Sequence, residues 1–173
     1  TCLGEWHYKR SLFDNHLYKS ADTVIQRLCD IVSKNGNLLL SVPMRGDGTI
    51  DADERAVLET MGQWMAANGD AIYGTRPWRT FGEGPTRVTG GMFGESRNAA
   101  FTPRDIRFTA KRGVLYATAL GWPTNGELTI TSLAEGSALA PSSIDSVALV
   151  ASNEQLQFRR TRSGLTVRLP DGL

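Results

Sequence analysis

Between two amphipathic helical patterns lies Asn37-Leu38-Leu39-Leu40-Ser41-Val42, a short apolar run without alternation, closed by Pro43. A strand of that kind suits burial on both faces, as in a parallel sheet covered by helices. On its N-terminal side Ser20 can cap a helix whose Val24, Ile25, Leu28, Ile31 and Val32 repeat on one face, and Gly36 supplies the stop. On its C-terminal side residues 45–50 turn. Asp51 and Glu54 then form a capping-box-like pair, and Val57, Leu58, Met61, Trp64 and Met65 share a helical face up to Gly69. Helix, buried strand, helix is the unit of a parallel α/β fold, and one such strand cannot make a sheet. The expectation is that its neighbouring strands lie outside this chain.

After Trp78 the character changes. Residues 79–104 are rich in Gly, Pro, Arg and Thr and read as a linker with one candidate edge strand at 86–93. Beyond it, strand and turn signals alternate at short spacing. Ile106, Phe108 and Ala110 alternate, Arg112-Gly113 turns the chain into 114–120, and Asn125-Gly126 leads into 127–132. Further strands are expected at 144–151, 155–160 and 165–169, and a small antiparallel β-sandwich is the natural reading. The chain therefore divides into an α/β part at 1–78, the linker, and an all-β domain at 105–173 that lacks its last strand if the sheet continues past Leu173.

The formal net charge is +1, with acids and bases interspersed, which gives no electrostatic reason to expect nucleic acid or an anionic membrane as partner. No apolar run approaches the roughly 20 residues that span a bilayer. No leader-like segment opens the chain, but Thr1 is not an initiator, so that silence decides nothing about targeting. Cys2 and Cys29 are the only cysteines and lack ligand spacing, so neither a metal site nor a disulfide framework is expected.

One cluster could carry chemistry. Glu5, Trp6, His7 and Tyr8 put a carboxylate, an indole, an imidazole and a phenol side by side. Flat aromatic faces suit sugar rings, and His and Glu supply directional hydrogen bonds. On residues alone, an aromatic plug packed under a barrel or sandwich explains the cluster equally well. Asp47, Asp51 and Asp53 are misspaced for a calcium loop and lack its closing Glu, so a turn and a helix cap explain them better. Arg45-Gly46-Asp47 belongs to the loop after the apolar run. The glycines at 82–94 lack the context of a phosphate loop. His7 and His16 have no Ser or Cys at triad spacing. Arg159, Arg160 and Arg162 read as a solvated face.

Several longer motifs resemble one family, the retaining α-L-fucosidases, which combine a (β/α)8 TIM barrel with a C-terminal β-sandwich. They are Tyr18-Lys19-Ser20-Ala21, Asp30-Ile31-Val32-Ser33-Lys34-Asn35-Gly36-Asn37-Leu38-Leu39-Leu40, Gly46-Asp47-Gly48-Thr49-Ile50, and Asn68-Gly69-Asp70-Ala71-Ile72-Tyr73-Gly74-Thr75-Arg76-Pro77-Trp78. In the β part, Asp105-Ile106-Arg107-Phe108-Thr109, Leu115-Tyr116-Ala117 and Leu120-Gly121-Trp122-Pro123 are similar to the same family. The resemblance implies the last quarter of the barrel followed by the sandwich. Residues 1–4 become a remnant of the seventh strand, 20–35 the seventh helix, 37–42 the eighth strand and 51–68 the eighth helix.

Active sites of such barrels sit at the C-terminal strand ends, where residues 5–8 and 41–47 fall. The resemblance thus makes Trp6, His7, Glu5 and Tyr8 a substrate-binding loop, with Trp6 against the sugar ring. Cys2 matches a cysteine in an active-site pattern of the family, although the mechanism runs on carboxylates. The implied activity is release of α-L-fucose from a fucosylated glycan by double displacement, without metal or organic cofactor. The nucleophile falls on an earlier strand, so the missing N-terminal part of the barrel is the partner this piece needs. The isolated fragment is expected to be inactive. Two other readings stay open: a non-catalytic carbohydrate-binding β-sandwich, and a structural domain with no sugar affinity.

Overall fold

A computed structural model describes residues 1–3, 6–88 and 99–170. After a short helix α1 (Arg10–Asp14), the two expected helices form where their caps place them. Ser20 Oγ accepts from the Thr23 amide at 3.2 Å and opens α2 (Ala21–Ser33). The chain leaves α2 through Asn35 in the left-handed conformation (φ 65°), and the Gly36 amide closes back on the Ile31 carbonyl at 2.9 Å. Asp51 caps α3 (Ala52–Asn68) by accepting from the Glu54 amide at 2.9 Å. The Glu54 carboxylate turns inward, where the Thr1 hydroxyl donates to it.

The barrel quarter is only partly visible, and its strands depart from expectation. Residues 37–42 form no ladder, and Leu39 is 93% exposed. The reason is the one that made the run informative: a parallel strand needs neighbours, and none of the described residues supplies them. Of residues 1–4, only Cys2 pairs, in a single antiparallel bridge with Tyr18, and Gly4 lies outside the described residues.

Among the described residues, the β domain has two antiparallel three-stranded sheets. One runs β1 (Arg76–Glu83), β2 (Ile106–Lys111), β3 (Val114–Ala119); the other runs β4 (Glu127–Ile130), β6 (Gly164–Arg168), β5 (Phe158–Thr161). Ile106 and Phe108 from one sheet meet Ile130, Leu165 and Val167 from the other, with Leu133 at the edge. Trp78 stands edge-on to Phe108 at 5.1 Å. The alternation along β2 is therefore the inward face of a sandwich.

Its outward face is also covered. Arg107 and Thr109 are buried, because α2 and the helical turn Gly69–Ala71 lie over them. Thr109 Oγ1 donates to the Ala71 carbonyl at 2.7 Å, and Arg107 Nε donates to Asp30 Oδ1 at 2.6 Å. Ile25, Cys29 and Leu120 add a small apolar cluster at the same junction. The order of layers is helices, β1–β3, then β4–β6.

Three β assignments change. The sheet begins at Arg76, inside the stretch read as barrel end and linker. Gly82, one of the glycines that suggested a linker, belongs to an irregularity in β1. Register passes from Pro77 opposite Thr109 to Gly82 opposite Arg107, so residues 78–81 bulge opposite Phe108. A Cβ at Gly82 would lie 2.3 Å from the Ile106 carbonyl oxygen, so only glycine fits there. The expected edge strand at 86–93 is absent over 86–88, and the rest lies outside the described residues. Residues 144–151 hold one bridge, Ala148 to Gln155, in place of a strand, and the chain reverses at Asn153 (φ 57°).

Candidate functional site

The loop after Cys2 and the turn after Pro43 come together. In the turn, the Arg45 amide donates to the Thr49 carbonyl at 2.8 Å. Asp47 Oδ1 accepts from the Thr49 amide at 2.9 Å and hydroxyl at 2.7 Å. Those hydrogen bonds from Thr49 hold the Asp47 carboxyl below the usual carboxylate range. With the turn fixed, the Arg45 guanidinium lies 5.3 Å from the Phe13 ring centre and 6.0 Å from that of Tyr8. Between them is an open hollow of about 390 Å³ lined by Tyr8, Arg10, Phe13, Arg45, Gly46 and Asp47. Two rings, two guanidiniums and one carboxylate give flat apolar surface edged by hydrogen-bonding groups, the composition a sugar needs.

Of the residues expected to bind substrate, Tyr8 lines this hollow. Trp6 is 66% exposed and His7 is exposed; neither is among the lining residues. Trp6 is tied to the apolar run by the Ser41 hydroxyl, which donates to its carbonyl at 3.4 Å. Glu5 lies outside the described residues. Sequence reading missed Arg10 and Phe13 and gave no role to Arg45 and Asp47, although it placed residues 41–47 at the strand-end face. The available signal for the last two was their place just after Pro43, at the end of the apolar run.

Cys2 sits beneath, in a buried cluster with Tyr18, Asp51 and Glu54. Its thiol reaches Glu54 Oε1 at 3.8 Å, and burial together with the Glu54 carboxylate pushes it up, so it stays protonated. That is the state of a packing residue and not of a nucleophile. Tyr18 donates to Asp51 Oδ2 at 2.5 Å, and burial followed by that bond pushes its phenol far up. Among the described residues, Glu54 Oε2 has no hydrogen-bond partner. His16 Nδ1 pairs with Asp53 Oδ2 at 2.6 Å on the surface.

Among the described residues, no group of three or more His, Cys, Asp and Glu side chains is arranged to hold a metal. Nor is any helix among them long and apolar enough to cross a membrane.

Residues 1–70 match the family model for α-L-fucosidase, and residues 98–173 match that for the α-L-fucosidase C-terminal domain. The chain is 34% identical over 127 residues to an α-L-fucosidase of Branchiostoma floridae, covering 72% of this chain and 24% of that protein. It is 34% identical over 125 residues to human plasma α-L-fucosidase, covering 71% and 23%. A solved structure of Thermotoga maritima α-fucosidase in complex with fucose superposes with a TM-score of 0.71 at 30% identity, covering 96% of this chain and 33% of that one. The chain thus spans about a quarter to a third of the length of these relatives.

Proposed function

This chain belongs to the α-L-fucosidase family, and on that premise we propose that it supplies one wall of a fucose-cleaving active site together with a β-sandwich that braces it. The observation that carries the proposal is the hollow between Tyr8, Phe13, Arg45 and Asp47. The family resemblance supports the reading, since it assigns residues 5–8 and 41–47 to the loops after the seventh and eighth barrel strands, where such barrels bind substrate.

In a retaining reaction, a carboxylate attacks the anomeric carbon while a second carboxyl, about 5 Å away, gives its proton to the leaving oxygen. Water then releases the sugar from the covalent intermediate. Among the described residues the hollow holds one carboxylate, Asp47, and both donors of Thr49 occupy its Oδ1. The wall therefore binds and orients, and the attacking carboxylate belongs to an earlier strand of the barrel. In this reading Tyr8 and Arg45 contact the sugar's hydroxyls, and Trp6, exposed two residues before Tyr8 and outside the lining of the hollow, offers a stacking face for a ring that extends beyond it. His7 and Glu5 belong to the same run of sequence. A fucosylated glycan is the substrate.

The test pairs two measurements on the 173-residue chain. Turnover of an aryl α-L-fucoside is expected to be absent. Saturation transfer from protein to the methyl protons of L-fucose is expected, and its loss in Trp6→Ala would locate the sugar. Turnover that co-purifies with the chain and disappears in Trp6→Ala would refute the division of labour. Equal saturation transfer in parent and variant would refute the role of Trp6.

A further inference from the structure

The tip of the β2–β3 hairpin departs from what its turn favours. Lys111 pairs with Val114, so Arg112-Gly113 is a two-residue loop, and both residues have positive φ, 51° and 83°. That is a type I′ turn, whose first position favours Asn, Asp or Gly because a larger side chain crowds its own backbone. An arginine held there is a backbone outlier, and such outliers concentrate where a side chain has a use.

Arg112 is exposed, and no acidic side chain among the described residues pairs with it. It lines a hollow of about 510 Å³ with Tyr73, Gly74, Arg76, Ala110 and Lys111. Three cations thus converge on one space. Among the described residues, Arg76 Nη1 is engaged by the Thr75 carbonyl at 2.9 Å. Lys111 Nζ donates to Asp70 Oδ1 at 2.8 Å and to the Tyr73 carbonyl at 3.2 Å. Asp70 is mostly exposed, and Lys111 holds its carboxyl below the usual range, so it offsets only part of the positive charge. Tyr73 is 65% exposed, yet its ring is braced: a Cβ on Gly69 would come within 2.9 Å of it. A fixed aromatic face next to an excess of guanidinium suits a ligand with a flat apolar side and a negative group.

We infer that the hollow between Tyr73, Arg76, Lys111 and Arg112 is a binding site for an anionic sugar residue, with the ring on Tyr73 and the anion between Arg76 and Arg112. It shares no residue with the Tyr8–Arg45 hollow and does not rest on the fucosidase reading.

Calorimetric titration of the 173-residue chain tests it with N-acetylglucosamine 6-sulfate, glucuronic acid, neutral N-acetylglucosamine and inorganic sulfate. One charged sugar or both should bind, the tighter of them naming the anion, and neutral sugar should not. Arg112→Asn suits the positive φ, so its urea midpoint should equal or exceed the parent's while Kd rises about tenfold, the effect of losing one charge-assisted contact. Tyr73→Ala should weaken the charged sugar and leave inorganic sulfate unchanged. Neutral sugar binding as tightly as charged sugar would overturn the inference. So would an unchanged Kd in a folded Arg112→Asn chain, or inorganic sulfate binding as tightly as the charged sugars.

Discussion

Replacing Asp30 with alanine removes the counter-charge from a guanidinium that has almost no water around it. The Arg107 and Asp30 side chains are 4% and 7% exposed, and Nε and Oδ1 stand 2.6 Å apart. Removing one partner of a buried ion pair costs about 3–5 kcal/mol, because the remaining charge has neither solvent nor counter-ion. Here Arg107 keeps the Ile106 carbonyl at 3.1 Å and the Phe81 and Phe101 rings at 5.5 and 5.2 Å, which places the effect near the lower end, about 3 kcal/mol. The second partner of Asp30, Lys34 at 2.7 Å, is 36% exposed and adds under about 1 kcal/mol. Urea unfolding followed by tryptophan fluorescence reads the loss as a lower midpoint at unchanged slope. The double variant Asp30→Leu/Arg107→Met should recover most of it, since an apolar pair of similar volume removes the stranded charge. A loss below about 1 kcal/mol for Asp30→Ala would mean that the helices do not seat on the sheet as described. A double variant as unstable as the single would mean that charge compensation is the wrong account.

Gly82→Ala should destabilise by about 1–3 kcal/mol, because its Cβ meets the backbone at 2.3 Å and the bulge must shift; an unchanged urea midpoint contradicts the bulge. Burial pushes both thiols up, that of Cys29 to about 12, so labelling by an aromatic disulfide at pH 8 should be slow until urea is added. A thiol that keeps its proton only when folded stabilises fully below the ordinary thiol range and loses that contribution as pH rises. The urea midpoint should therefore fall between about pH 9 and 12. Burial alone would raise the carboxyl of Asp105, but Thr102 and Thr86 each donate an amide and a hydroxyl to it and hold it below the usual range. Its contribution is present above about pH 4 and lost as pH falls through the folded-state value, so Asp105→Asn should flatten the acid limb of the stability profile.

What the sequence disclosed was whatever local chemistry decides. Ser20 and Asp51 accept the amides that a capping residue should accept, and Ile106 and Phe108 alternate into the core. Arg112-Gly113 turns the hairpin where the pattern put it. What stayed hidden depends on contacts distant in the chain. β1 was obscured because its Pro77 and Gly82 are punctuation in most contexts, and only the approach of Ile106 shows why glycine is needed. Arg107 looked like the solvent side of a strand, since alternation says which face is apolar and not what covers the other. Its partner gave no better sign: at helical spacing Asp30 neighbours Gln26, Arg27, Ser33 and Lys34, the pattern of a solvated face. The Tyr8–Arg45 hollow joins residues from separate loops, and no periodicity links them.

The double covering of β2 bears on how such a protein could be taken apart. The outer face of that strand presents an arginine and a threonine, so a β domain separated from its helices would meet water chiefly with groups that water can solvate. Opening the junction would uncover only the small apolar cluster of Ile25, Cys29 and Leu120 beside them. Closed, it is held by a few directional bonds from Arg107 and Thr109 to Asp30 and Ala71, which permit one angle and one register. A joint of this kind fixes aim as well as supplying grip, and it returns the helices to one position on the sheet.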